Sequence, residues 1–279
     1  KESFVFKAKA GHNLQGYFYW YENPIANRIV LFEHGMGGGH RSYMREIETI
    51  AKKGYLVFSY DHTGCMESGG ENTNGFGQSL SDLDCAVKAL KADERYRDME
   101  ISIIGHSWGG FSTLNISALH PEISHVVVLS GFVSVEELVN TFFSGIMKGY
   151  RKALMALERT SNPRFVDCNA VDSLRKSRAK ALLIYSDNDR MCTRRHYDIL
   201  REKLAERENT QFLLVSGKDH NPNYTKDAVS YLGEYIKAKN KLLRSKKPLT
   251  DEQKAEFVAS YDWERMTAQD ETVWDEIYR

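Results

Sequence analysis

Six short runs of mostly apolar residues, separated by stretches of helical periodicity, constrain this chain more than any other feature of it. They lie at residues 28–33, 55–60, 101–104, 126–129, 181–185 and 212–215, the first carrying Ile29-Val30-Leu31-Phe32. A strand without polar alternation leaves no face for water, which suits a parallel sheet covered on both sides. Residues 41–53, 80–95, 111–119, 195–206 and 224–237 read as helices, the third ending before Pro121. Within the second, Leu80, Leu83, Ala86, Val87 and Leu90 keep to a 3.6-residue stripe. Strand and helix in alternation predict an α/β fold with a mainly parallel central sheet and helices on both faces. Ahead of Asn23-Pro24, residues 3–9 and 14–21 are rich in aromatic and β-branched side chains and flank Gly11-His12-Asn13. An antiparallel hairpin should therefore open the chain.

One connection breaks the alternation. Residues 132–177 contain no strand, although ordinary connections take only a few residues. Phe132, Val135, Leu138, Val139, Phe142, Phe143, Ile146, Met147 and Tyr150 follow helical spacing with a wide apolar face, so this stretch is expected to be an inserted helical cap. After residue 237 a basic run reaches Lys247, and a mostly acidic segment follows. There Thr250-Asp251-Glu252-Gln253 has the pattern of a capping box, and Phe257, Tyr261, Trp263, Met266, Trp274 and Ile277 give the tail apolar surface with which to dock. The expected division is a core of residues 1–131 and 178–240, a cap of 132–177, and a C-terminal helical extension of 241–279.

Composition narrows the partners. A chain of 279 residues can bury one sizeable core. Its 38 basic residues balance 38 acidic ones, so net charge lends no support to a nucleic-acid or anionic-membrane partner. No run of 18 apolar residues is present, so no membrane span is expected. Cys65, Cys85, Cys168 and Cys192 lie far apart without metal-ligand spacing; they read as free thiols of a cytoplasmic protein, and no metal site is expected. The chain opens on Lys1 rather than methionine, which leaves open a leader removed from its start.

The chemistry-bearing residues gather where predicted strands end. Gly105-His106-Ser107-Trp108-Gly109 fits G-x-S-x-G. With glycine and serine each near roughly 7% of residues, about one chain in ten of this length would contain that pattern by chance, so its context decides. Here a buried strand precedes it and a helix follows, placing Ser107 on a tight turn whose flanking positions, Gly105 and Gly109, have no room for side chains. A serine hydroxyl needs a base to become a nucleophile. Of nine histidines, His220 follows the last strand and opens on the same sheet edge, whereas His106 should project away and His34 and His62 read as structural. The acid that orients the base should follow the preceding strand, where reach alone does not separate Asp187 from Asp189. After the first buried strand, His34-Gly35-Met36-Gly37-Gly38-Gly39 lets backbone N–H groups approach a developing oxyanion. The N–H groups of Met36 and Trp108 are the expected pair. This glycine run lacks the endings of a phosphate-binding loop.

Together these elements resemble the α/β-hydrolase superfamily over residues 28 to about 239, in the family order of serine, acid, histidine. The resemblance implies the α/β-hydrolase fold, a reaction without cofactor, and a small-molecule ester or amide substrate. It also selects Asp189, since Ser186-Asp187-Asn188-Asp189 aligns with the family's G-x-x-D, with serine in place of glycine. Residues 61–68 resemble its D-x-R-G-x-G-x-S loop, with Thr63 replacing Arg and Met66 the second Gly. A cap in this position implies an apolar acyl or aryl substrate, as in cinnamoyl-ester or monoglyceride esterases. The expected function is a carboxylesterase; a serine aminopeptidase, an acyltransferase or a non-catalytic binding protein on the same scaffold are the alternatives.

Overall fold

The computed structural model describes residues 1–22, 24–25, 27–244 and 249–279. Asn23 and the end of the basic run, 245–247, lie outside them. The chain begins with β1 (Glu2–Lys7), β2 (Asn13–Tyr19) and β3 (Arg28–Glu33), then a 3₁₀ turn (His40–Tyr43), α1 (Met44–Lys52) and β4 (Leu56–Tyr60). It continues through α2 (Gln78–Ala92), β5 (Glu100–His106), α3 (Trp108–Ile116) and β6 (His125–Leu129). The long connection carries α4 (Val135–Phe142), a second 3₁₀ turn (Gly145–Tyr150), α5 (Arg151–Ser161) and α6 (Ala170–Lys176). Then follow β7 (Lys180–Ser186), α7 (Arg194–Lys203), β8 (Thr210–Val215) and α8 (Lys226–Leu243). The tail holds α9 (Asp251–Ala259), α10 (Trp263–Met266) and α11 (Glu271–Tyr278).

The eight strands form one sheet in the order β1-β2-β4-β3-β5-β6-β7-β8. The opening hairpin and its pairing with β4 are antiparallel, while every pairing from β4 onward across the sheet is parallel. From β3 the chain steps to β4 on one side, then crosses back to β5 on the other. The carboxyl ends of β3 and β5 therefore flank a topological switch point, where open α/β sheets leave a crevice.

The apolar runs bury both faces. One face packs Leu31, Ile103 and Val128 against Leu83, Phe111 and Leu114 of α2 and α3. On the other face, Val30, Phe32, Ile104 and Ile184 meet Ile47 and Ile50 of α1 and Val273 and Trp274 of α11. The tail helix thus covers sheet that the helix after β8 leaves open: α8 fully buries only Ala228. Aromatic contacts between Tyr231 and Tyr261, and between Tyr235 and Phe257, join α8 to the segment around α9. The Thr250 capping box forms as its pattern suggests, with the Thr250 hydroxyl accepting the Gln253 N–H and the Gln253 side chain accepting the Thr250 N–H.

The apolar stripe of residues 132–150 is not one helix. It divides between α4 and the 3₁₀ turn, whose first residue, Gly145, lies in the left-handed region at φ 58°. Its first half is spent on the core rather than on a substrate: Phe132 stacks on Phe111 at 4.7 Å, and Val135, Leu138 and Val139 are buried. Phe142, Ile146 and Tyr150 remain exposed. No helix among the described residues is long and apolar enough to cross a membrane, and all four cysteines are free.

Candidate active site

Ser107 sits between β5 and α3 with φ 56° and ψ −111°, a conformation that costs a non-glycine residue about 1–3 kcal/mol. The turn is held by close packing. A Cβ on Gly105 would come within 2.1 Å of the Thr113 hydroxyl, and one on Gly109 within 2.4 Å of the Glu33 carbonyl on β3. Neither glycine can be replaced without opening the turn, which explains the G-x-S-x-G spacing in steric terms.

The three side chains singled out in sequence meet at this point. His220 Nε2 lies 2.8 Å from Ser107 Oγ and its Nδ1 lies 2.8 Å from Asp189 Oδ2. An ionised carboxylate only accepts, so the imidazole carries its proton on Nδ1 and presents a free Nε2 lone pair to the serine hydroxyl. Asp189 is fully enclosed, at 0% side-chain exposure against 19% for His220. Its other oxygen accepts the N–H groups of Met191 at 2.7 Å and Cys192 at 3.0 Å, which fixes the carboxylate plane.

Asp187 does different work. Its carboxylate accepts the Gly217 N–H at 2.9 Å, while the Ser186 hydroxyl accepts the Lys218 N–H at 3.0 Å and the Asn188 side-chain oxygen accepts the Asp219 N–H at 2.9 Å. Three successive backbone donors of the histidine loop are thus fastened to the loop that carries the acid. Ser186, where the family pattern has glycine, earns its place by this bond. Asp219 itself lies in the left-handed region at φ 47°.

The tail fastens the same loop from outside. Lys218, whose side chain is only 5% exposed, forms an ion pair with Asp270 at the start of α11. The Asp270 N–H donates to the Asn223 carbonyl at 2.8 Å and the Thr225 N–H to the Ala268 carbonyl at 3.0 Å. The Asn223 amide donates to Gln269 at 2.8 Å and to the buried Glu46 at 3.2 Å. Burial pushes the Glu46 carboxyl up to about 7.

His106 projects away from the serine hydroxyl, as its place on the turn implies, and under the histidine loop, where sequence assigned it no partner. Its Nε2–H donates to the His220 carbonyl at 2.7 Å, and its Nδ1 accepts the Tyr43 hydroxyl at 2.7 Å. That hydroxyl in turn accepts the Gly35 N–H at 3.0 Å. Burial and the neighbouring His220 push the His106 imidazole down to about 3, so it stays neutral. Nothing local in the sequence signals the Tyr43–His106 pairing, which spans 63 positions.

The glycine loop after β3 is locked similarly. His34 Nδ1–H donates to the Gly35 carbonyl at 2.8 Å, and its Nε2 accepts the His62 N–H at 3.0 Å. Burial, then the nearby His62, pushes His34 down to about 3. In a trans peptide the carbonyl and the following N–H point oppositely, so holding the Gly35 oxygen also aims the Met36 N–H. Trp108 opens α3, where an N–H has no intrahelical acceptor. Beneath the elbow, burial alone would push His62 down, yet Glu33 at 3.3 Å and Asp82 at 3.5 Å raise it to about 9. Thr63, in the position of the family's Arg, gives its N–H and hydroxyl to Asp82 at 2.8 and 2.9 Å. Met66, in the position of the family's second Gly, has a left-handed backbone at φ 41°.

A cleft of about 840 Å³ begins at Gly35 and Met36 beside Asn221 and runs along α1 to α8 and α10. Among the described residues, no group of three or more His, Cys, Asp or Glu is arranged to hold a metal ion.

Residues 24–170 match the family described as serine aminopeptidase, S33. A monoglyceride lipase homolog of Monkeypox virus is 28% identical over 113 residues, which cover 40% of this chain and 40% of that protein. The monoglyceride lipase of Mus musculus is 28% identical over 123 residues, covering 43% of this chain and 38% of that one. The match thus spans well under half the length of these curated relatives. Among solved structures, the esterase Pf2001 of Pyrococcus furiosus superposes with a TM-score of 0.63 at 19% identity, covering 87% of this chain and 91% of that one. Est1E of Butyrivibrio proteoclasticus, bound to ferulic acid, gives 0.64 at 17% identity over 84% of this chain and 98% of that one. At those identities the structural likeness speaks for the fold alone.

Proposed function

Because this chain belongs to the serine aminopeptidase S33 family of α/β-hydrolases, we propose that it is a serine hydrolase cleaving a carboxylic ester through an acyl-enzyme on Ser107. The observation that carries this reading is the unbroken series Ser107–His220–Asp189, two hydrogen bonds of 2.8 Å ending on an enclosed carboxylate. His220 takes the hydroxyl proton as Oγ attacks the ester carbonyl. The N–H groups of Met36 and Trp108 receive the oxyanion; His34, by fixing the Gly35–Met36 peptide, keeps one of them aimed. As the tetrahedral intermediate collapses, the carbon–oxygen bond to the alcohol breaks and His220 returns its proton to the departing oxygen. Water, deprotonated by the same imidazole, then releases the acid and restores Ser107. Asp189 stays ionised throughout and stabilises the imidazolium.

Two considerations favour an ester over a peptide. The curated relatives named for an activity are monoglyceride lipases. An aminopeptidase also needs a carboxylate free to take the substrate's ammonium group, whereas Glu48 in the cleft is already paired with Arg45 and Lys52, and Glu264 stands at its exposed edge. The division into a core of 1–131 and 178–240, a cap of 132–177 and a docking extension of 241–279 belongs to the same proposal. A panel of p-nitrophenyl acyl esters and aminoacyl p-nitroanilides, run on the wild type and on Ser107→Ala, tests it. Ester turnover that disappears in the variant is expected. Preference for the anilides would make the protein a peptidase, and undiminished ester turnover in the variant would remove Ser107 from the reaction.

A further inference from the structure

Two of the loops that meet at Ser107 are held by hydrogen bonds that the reaction itself does not use, and both sets lead to the residue beside the serine. Gly35, in the glycine loop after β3, is buried. Its carbonyl is held by His34, and its N–H, at 3.0 Å, by the Tyr43 hydroxyl. Each bond fixes one of the two peptide planes that flank the Gly35 Cα, so both φ and ψ of this residue are set. The packing leaves no slack: a Cβ on Gly35 would come within 2.6 Å of the Tyr43 hydroxyl and 3.3 Å of the Ser107 Cβ. Met36, the next residue, is exposed and takes the direction of its N–H from this anchor.

The histidine loop is held in the same manner. The peptide that leaves His220 has its carbonyl on His106 Nε2–H at 2.7 Å and its N–H, that of Asn221, on the Lys218 carbonyl at 3.1 Å. A carbonyl only accepts, so the proton of the neutral His106 ring sits on Nε2 and leaves a lone pair on Nδ1. The Tyr43 O–H must then donate to that lone pair, at 2.7 Å, while its oxygen accepts the Gly35 N–H. His106 ends β5, the strand that delivers Ser107, and is 5% exposed. We propose that Tyr43 and His106 are positioning residues for the hydrolysis, tying the glycine loop and the histidine loop to the strand of the nucleophile so that donor, base and serine keep one geometry. The proposal rests on nucleophilic attack by Ser107 and names two residues outside the triad on which that attack depends.

Tyr43→Phe removes the hydroxyl and keeps the ring, which packs 5.3 Å from Phe32. Deleting an oxyanion donor outright costs about 10²–10³ in kcat, and loosening one that is still present should cost about tenfold. On p-nitrophenyl acetate, well below the Tm of each variant, kcat of Tyr43→Phe should fall by that factor with KM within twofold of the wild type. His106→Leu should lose at least as much, and His106→Gln, which again offers a donor and an acceptor, should recover most of it. Because the two residues act in one series, Tyr43→Phe combined with His106→Leu should lose no more than about threefold beyond the worse single variant. The rate at which a fluorophosphonate labels Ser107 is read in parallel and should fall by a similar factor, since it needs the same geometry but no ester. A packing role alone would lower Tm and leave kcat and the labelling rate unchanged. Both rates within twofold of the wild type in Tyr43→Phe, or single losses that multiply in the double variant, would overturn the proposal. A wild type that is labelled at Ser107 yet cleaves no ester would discard ester cleavage alone, with the labelling rates still deciding the role of Tyr43 and His106. A wild type that does neither would discard both.

Discussion

Removing the Asp270 carboxylate should reveal how far the site depends on the tail. Asp270→Ala strands the Lys218 ammonium, whose side chain is 5% exposed, while the aspartate it loses was 24% exposed. Breaking a fully buried pair from one side costs about 3–5 kcal/mol, and the partial access of water to Asp270 places this case near the lower end, about 3 kcal/mol. Asp270 also caps α11, its carboxylate accepting the Thr272 N–H at 2.9 Å, and losing an N-cap costs about 1 kcal/mol more. For a chain of this size the sum, about 4 kcal/mol, corresponds to a fall in Tm on the order of 10 °C. Asp270→Asn keeps a capping oxygen and should lose only the charge component. Lys218→Met with Asp270→Asn should recover most of the loss, because the aliphatic stem still packs and no buried charge is left. Urea unfolding gives the energies, and kcat on p-nitrophenyl acetate well below Tm gives the effect on the histidine loop. There a fall of about tenfold is expected in Asp270→Ala, since Lys218 stands two residues before His220. Stabilities of both single variants within about 0.5 kcal/mol of the wild type would refute the strap.

Two further outcomes follow from the loops that meet at Ser107. Asp189→Asn should cut kcat by a factor on the order of 10³–10⁴ by presenting the wrong group to His220 Nδ1, while Asp187→Asn, measured in the same steady-state assay, should cost less than tenfold. Glu46 should make stability pH-dependent: between its ordinary 4.5 and about 7 the folded chain keeps a proton that the unfolded chain has released, so stability falls as pH rises through that window. Up to about 3 kcal/mol is at stake, and Glu46→Gln should remove it, seen as a smaller difference in urea unfolding energy between pH 4.5 and pH 8. An unchanged difference in the variant would assign the pH dependence elsewhere.

The sheet was legible because parallel strands covered on both faces leave uninterrupted apolar runs, and each run used for that inference falls in or beside a strand. Ser107 and His220 were legible for a related reason: a βα turn and the loop after the last strand open on one sheet edge, so position along the chain stands in for position in space. Asp187 and Asp189 were not separable by reach, because the distinction lies in hydrogen bonds. Asp189 turns inward to His220 and two N–H groups, while Asp187 holds Gly217. The link from Gly35 through Tyr43 and His106 to the His220 carbonyl left no trace in any local pattern, because each partner comes from a different element. The stripe at 132–150 was legible only in part: helical spacing reports that a face is buried but not what covers it, and the core covers Phe132, Val135, Leu138 and Val139. In the tail, Val273, Trp274, Ile277 and Tyr278 do follow helical spacing, yet only the fold shows that α11 lies where sheet was left open by α8.

The most direct measurement is the mass of the protein after reaction with a fluorophosphonate, followed by peptide mapping. One adduct on Ser107 is predicted, forming quickly in the wild type, far more slowly in His220→Ala, and not at all in Ser107→Ala. A wild-type chain that stays unmodified, or one labelled at another residue, would contradict the account at its centre.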